Sequence, residues 1–260
     1  MDDLDPPPDY PGLLRLDGRV LVVLGAGAGI GRQCAHGLAQ AGATVVCVDR
    51  EPAAAKAVAE EVGGHPVTAD VTDRAEVARV FREAAAVGPV TGVVDIVGLA
   101  VLKPLLDFDD ADYDHQFDVV LRHAFLTLQL GGRAVAEAGG GAMVFIGSVS
   151  GHTYAAKETV YGAAKAALHR MVESAGRELA PHGVRVNAVA PGFTRTPRLN
   201  VLLGEAQWAA VGAGIPRGHA GAPAEIAGPV LFLVSELASY LTGQTITVDG
   251  GMTGVLPVPF

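Results

Sequence analysis

Val160-Tyr161-Gly162-Ala163-Ala164-Lys165 sets a phenol and an ammonium four residues apart. On a helix, side chains at that spacing share a face, with Cβ atoms about 5–6 Å apart, so both can enter one site. A free phenol titrates near about 10 and is a poor base at neutral pH; a cation held beside it favours the phenolate and brings proton transfer into working range. The pair alone also describes a packed tyrosine next to a solvated lysine. Its meaning depends on what the chain places around it.

The elements that must position the pair alternate. Arg19–Leu24 is a continuous apolar run suited to a strand buried on both faces, followed by the glycine loop GAGAGIG and a helix to about Ala41. Strands at 44–48, 66–69, 92–97 and 142–146 follow, separated by helices at 52–62, 73–87 and one long helix at about 110–137. Tyr161 and Lys165 fall on a helix over about 159–180, after which come a strand at 184–189, a loop and short helical region to about 210, a helix at 223–234 and a last strand at 245–248. This alternation predicts an α/β doubly wound Rossmann-type fold, three layers deep, with a seven-stranded parallel sheet. A single domain over 13–260 is expected, preceded by a disordered acidic, Pro-rich arm over 1–12.

Gly25, Gly27, Gly29 and Gly31 lie between the first strand and first helix, where glycine lets the backbone approach a pyrophosphate at the positive helix end. With Asp49 at the end of the second strand they complete a dinucleotide-binding pattern. Asp49 can accept hydrogen bonds from the adenosine ribose and would repel a 2′-phosphate, which favours NAD(H). Arg50 beside it can receive such a phosphate and keeps NADP open.

From Leu16 to Met252 the chain resembles the one-domain form of the short-chain dehydrogenase/reductase family. The resemblance is carried by Leu24-Gly25-Ala26-Gly27-Ala28-Gly29-Ile30-Gly31, with Leu24 where a Thr is usual; by Asp70-Val71; by Ser148, thirteen residues before Tyr161; by Pro191-Gly192 and Thr196; and by TGQTITVDGG at 242–251. It implies hydride transfer between nicotinamide and a secondary alcohol or ketone. Tyr161 would be the general acid/base, Lys165 would lower its pKa and hold the nicotinamide ribose, and Ser148 would donate to the substrate oxygen. The cofactor would lie along Gly25, Gly29, Ile30, Gly31, Asp49, Arg50, Asp70, Val71, Gly98, Tyr161, Lys165, Pro191, Gly192, Thr194 and Thr196.

The chain departs from the family pattern in two places. The usual Asn-Asn-Ala-Gly reads Asp95-Ile96-Val97-Gly98, and the helical Asn that completes the catalytic tetrad, holding a kink and helping to seat a relay water, aligns with Val120. Valine cannot hydrogen-bond, so proton relay to Lys165 needs another route, for which His123 is a candidate; an inward Asp95 needs partners of its own. These losses motivate an alternative reading, a cofactor-binding protein of the same fold with weak or no redox activity and a structural, regulatory or non-redox role.

His152 and Tyr154, in the loop after Ser148, are candidate substrate-pocket residues, as are Leu199 and Trp208 in the largely apolar stretch 193–217. Other chemistries fail on spacing. GSVSG centres on Val149, not a serine, and the eight histidines show no metal-binding pattern, so no catalytic metal is expected. A net charge of −9 without a Lys/Arg-rich run argues against a nucleic-acid or membrane partner. Cys34 and Cys47 read as core residues. Without a signal peptide or membrane span, a soluble cytoplasmic protein is expected. By family habit it would form a homotetramer, or else a dimer, through the long helices and the C-terminal region, with the apolar 255–260 docking on a neighbour.

Overall fold

The computed structural model describes residues 6–254; the first residues of the expected arm and the apolar tail 255–260 lie outside them. Seven parallel strands form one sheet in the order β3-β2-β1-β4-β5-β6-β7: β1 Val20–Leu24, β2 Thr44–Asp49, β3 His65–Thr68, β4 Val90–Asp95, β5 Gly141–Ile146, β6 Val184–Pro191 and β7 Thr245–Val248. The connecting helices are α1 Gly29–Gln40, α2 Pro52–Val62, α3 Arg74–Val87, α4 Asp110–Phe117, α5 His123–Leu126, α6 Gly132–Glu137, α7 Thr159–Leu179, α8 Pro197–Leu202, α9 Glu205–Ala213 and α10 Pro223–Val234.

Period-two alternation splits each central strand between two cores. Val20, Val22 and Leu24 of β1 face Val80, Phe81, Leu126 and Leu168, whereas Leu21 and Val23 face Cys34, Leu38, Ile226 and Leu233. Both cysteines lie in this second core. Each fully buried aliphatic side chain contributes roughly 1.5–3 kcal/mol, which is why β1, sealed on both faces, anchors the sheet.

The chain enters a 3-10 turn at Gly12–Leu14, and Leu16 is fully buried, so ordered packing begins close to the expected edge of the arm. The single long helix expected over 110–137 is interrupted. Between α4 and α5, Asp118–Arg122 winds as a π-helix, and Thr127–Gly131 does so again before α6. Val120 sits fully buried in the first of these turns. The irregularity at this position therefore forms without a side-chain amide; a wider turn takes up the extra residue. Among the described residues, no helix is long and apolar enough to cross a membrane.

Strands β1 and β4 are neighbours in the sheet, and the chain leaves them toward opposite faces, which opens a crevice at their C-terminal ends. Leu24, Asp95 and Ile146 end three adjacent strands there.

Candidate active site

The loop after β1 is built for close backbone approach. Gly25 has φ +81°, and a Cβ on Gly31 would stand 1.9 Å from the Gly25 carbonyl oxygen, so only glycine lets α1 start so near the strand. No side chain caps α1, which leaves its first N–H groups for an anion. Asp49 Oδ2 accepts from Gly27 N at 2.9 Å and Oδ1 from Glu51 N at 3.1 Å, fixing the carboxylate against the loop. Arg50 is exposed and lies 3.7 Å from Glu51. Its charge also reaches Asp70, whose carboxyl is held below its ordinary value chiefly by hydrogen bonds from the Thr72 hydroxyl and backbone N–H. Val71 is buried behind it.

Across the crevice, β6 ends at Pro191, and Gly192 N bonds to Val248 O at 3.0 Å. Thr194 Oγ1 donates to Gly192 O at 3.2 Å, and Thr196 caps α8 by accepting from Leu199 N at 3.3 Å. A Cβ on Gly29 would touch Pro197 and Thr196 at 3.4 and 3.6 Å, so the start of the 193–217 segment closes directly against the glycine loop.

Ser148 follows β5 in extended backbone and opens a 3-10 turn over Val149–Gly151. Its Oγ accepts from Ser150 N at 3.1 Å, which leaves the hydroxyl proton free to point elsewhere, and the same hydroxyl is a hydrogen-bond partner of Tyr161. Tyr161 and Lys165 project from one face of α7, with Nζ 5.8 Å from the phenol ring centroid. Lys165 is 1% exposed and donates from Nζ to the Ile146 carbonyl at 2.7 Å. A side chain at position 98 would crowd Nζ at 2.9 Å, so Gly98 gives the ammonium its space.

The electrostatics run against the sequence expectation. Burial pushes the Tyr161 phenol up to about 12; the Ser148 hydrogen bond opposes this, and the negative charge of Glu158 adds to it. Burial also pulls Lys165 down to about 8, against the attraction of Asp95. A half-buried phenol next to a desolvated ammonium thus keeps its proton at neutral pH, because loss of hydration outweighs the Ser148 hydrogen bond.

Asp95, at the end of β4, accepts from Val97 N and from His123 Nε2, both at 3.1 Å. His152 and Tyr154 lie on the exposed loop after β5, Tyr154 being 86% exposed. Trp208 is buried with Ile215 and Ala220, with Leu199 packed on them and the Arg195 guanidinium 5.3 Å above its ring. Trp208 thus sits in a small core of its own with Ile215 and Ala220, and Leu199 lies at that core's edge. Sequence reasoning passed over Glu158, whose carboxylate accepts from Ser150 Oγ, and His169. Nothing in the residue pattern marked Glu158, whereas His169 stands four residues after Lys165 and so repeats the spacing of the pair.

This combination of doubly wound sheet, glycine loop and hydroxyl–ammonium cluster at the strand ends defines a dinucleotide-fold oxidoreductase. The model of the enoyl-(acyl carrier protein) reductase family matches residues 25–253. Galactitol 2-dehydrogenase (L-tagatose-forming) of Cereibacter sphaeroides is 38% identical over 254 residues, covering 94% of this chain and 99% of that protein. The 3-oxoacyl-acyl-carrier-protein reductase FabG of Aquifex aeolicus is 37% identical, covering 92% and 99%. A 7α-hydroxysteroid dehydrogenase solved with NADH and 7-oxo glycochenodeoxycholic acid superposes with a TM-score of 0.88 at 32% identity, covering 93% of this chain and 97% of that one. The chain belongs to the short-chain dehydrogenase/reductase family.

Proposed function

We propose that the protein is an NAD(H)-dependent oxidoreductase that interconverts a secondary alcohol and its ketone, with Tyr161 as the general acid/base. The carrying observation is the convergence of Ser148, Tyr161 and Lys165 at the crevice that the glycine loop also faces. The residues fit a nicotinamide dinucleotide. The uncapped start of α1 and the glycine cradle suit the pyrophosphate, and the anchored Asp49 carboxylate suits ribose hydroxyls and disfavours a 2′-phosphate. When bound, the nicotinamide supplies or accepts the hydride.

The chain's own residues handle the proton. In the reductive direction Tyr161 keeps its proton at neutral pH and passes it from Oη to the carbonyl oxygen as that oxygen gains charge; in oxidation the same atom takes it back. Ser148 donates its free hydroxyl proton to the substrate oxygen and orients it. Lys165 offsets the charge left on the phenolate. The exposed Tyr113 and Phe125, on the irregular helix over 110–137, support assembly through that element as a homotetramer.

The test is Tyr161→Phe on a panel holding galactitol, 3-hydroxyacyl thioesters and hydroxysteroids, with NAD and NADP. Turnover should fall by about 10²–10⁴ with NADH binding retained. Unchanged turnover would remove Tyr161 from the reaction, and no turnover by the wild type on any panel member would favour the cofactor-binding alternative.

A further inference from the structure

α7 carries a third titratable side chain beside Tyr161 and Lys165. His169 comes one turn after the lysine, and its half-buried ring lies under the turn that follows β5. A Cβ on Gly147 would stand 2.2 Å from Nε2, and one on Gly151 2.6 Å from Cε1, so the two glycines flanking the Ser148 turn vacate the volume that the imidazole fills.

The ring meets a backbone need there. Gly147 N still bonds across the sheet to Val189 O at 2.7 Å, but β5 has ended and Ser148 N has no strand partner. Nε2 of His169 accepts from Ser148 N at 3.3 Å. With Nε2 as acceptor, the ring proton resides on Nδ1.

We propose that His169 is a positioning residue, whose neutral imidazole holds the Ser148 backbone from behind so that the Ser148 hydroxyl stays aimed at Tyr161 and the substrate oxygen. The proposal rests on the reading of Ser148 as the donor to that oxygen. The charged and titratable groups facing the ring are Lys165 on its own helix and His152 on the loop after β5, the two imidazole centroids lying 5.8 Å apart. Burial, then the Lys165 charge, then His152 hold His169 down at about 4. Across neutral pH the ring therefore remains an acceptor. Protonation would place a donor against the Ser148 N–H and end the contact.

The experiment compares His169→Leu with His169→Gln, whose amide oxygen can still accept, and adds Gly147→Ala, which keeps the imidazole but pushes it aside. Amide exchange at Ser148, followed by NMR, needs no turnover. Exchange should speed up about tenfold in His169→Leu and Gly147→Ala and stay near wild type in His169→Gln, as expected for one hydrogen bond. On whichever panel alcohol the wild type oxidises, kcat should fall by a similar factor in the Leu and Ala variants and recover in Gln, with the KM for NAD unchanged. Wild-type exchange in His169→Leu, or equal kcat loss in Leu and Gln, would overturn the proposal. Wild-type turnover in Ser148→Ala would instead overturn the reading of Ser148, so the two failures are distinguishable.

Discussion

His123 and Asp95 meet at 3.1 Å in a place where each side chain is 1% exposed. The other ring nitrogen, Nδ1, and the other carboxylate oxygen, Oδ2, have no partner among the described residues. A proton on Nδ1 would be a buried donor without an acceptor among the described residues, so Nε2 is placed as the N–H that donates to Asp95. The negative charge of Asp95 is then left for Lys165, the cation it supports across the strand ends. A carboxylate thus stands at the end of β4 where the family pattern has an amide, and His123, three residues after Val120, is its side-chain partner.

Asp95→Asn removes that charge and keeps a hydrogen-bond acceptor for His123. Lys165, already pulled down to about 8, should lose its proton roughly one pH unit lower. The alkaline limb of kcat/KM for ketone reduction should move down by the same amount. An unmoved limb would show that Asp95 does not set the charge of Lys165.

His123→Ala should lower the unfolding free energy by about 2–3 kcal/mol in denaturant titrations, since it opens a cavity and strips a partner from a buried carboxylate. Arg122→Ala, next in sequence but in an exposed pair 3.9 Å from Asp118, should change it by less than about 0.5 kcal/mol.

Val120→Asn returns the family's amide to a fully buried apolar position inside an existing π-helical turn. Stability should fall by about 1–3 kcal/mol through unsatisfied polar atoms, with no gain in turnover. A faster variant would mean that the amide, not the Asp95–His123 cluster, is what the relay lacks.

Lys165 also links stability to pH. Its folded value near 8 lies below the ordinary 10.5, so between those limits the folded chain releases a proton that the unfolded chain keeps. More protons on the unfolded state mean that this group's contribution to stability rises with pH across that window; below about 8 the full cost of burying the ammonium is present. Denaturation at pH 7.5 and 9.5 should therefore show wild type gaining on Lys165→Met as pH rises. A parallel response of the two proteins would contradict the assignment.

Asp49→Asn keeps an acceptor for Gly27 N and removes the charge that repels a 2′-phosphate. With the exposed Arg50 still present, the ratio of kcat/KM for NADH over NADPH should drop about tenfold or more, equivalent to about 1.4 kcal/mol.

The sheet was legible in the sequence because a strand sealed on both faces has to be apolar throughout, as β1 is, and the glycines of the 25–31 loop announce a backbone contact that no side chain permits. The π-helical turns around Val120 and Leu128 were not, because the widened winding is decided by packing against neighbouring elements and leaves no mark on periodicity. Residue spacing put Tyr161 and Lys165 together correctly but gave the wrong direction for the phenol, since desolvation is a property of the assembled crevice. Asp95 and His123 could each be flagged as unusual from sequence. Their pairing across 28 residues could not.

The strand order has a further consequence for how the molecule is made. β1 finds β2 nearby in sequence, but its other neighbour is β4, and Lys165 finds both its carbonyl at Ile146 and its countercharge at Asp95 only when β4 and β5 are in place. A nascent chain that has emerged only through α3 can close a three-stranded half around the glycine loop while holding none of Ser148, Tyr161 and Lys165. The glycine loop and the Ser148–Tyr161–Lys165 cluster therefore mature at different moments of synthesis, and the non-local pairing of β1 with β4 is the event that joins them.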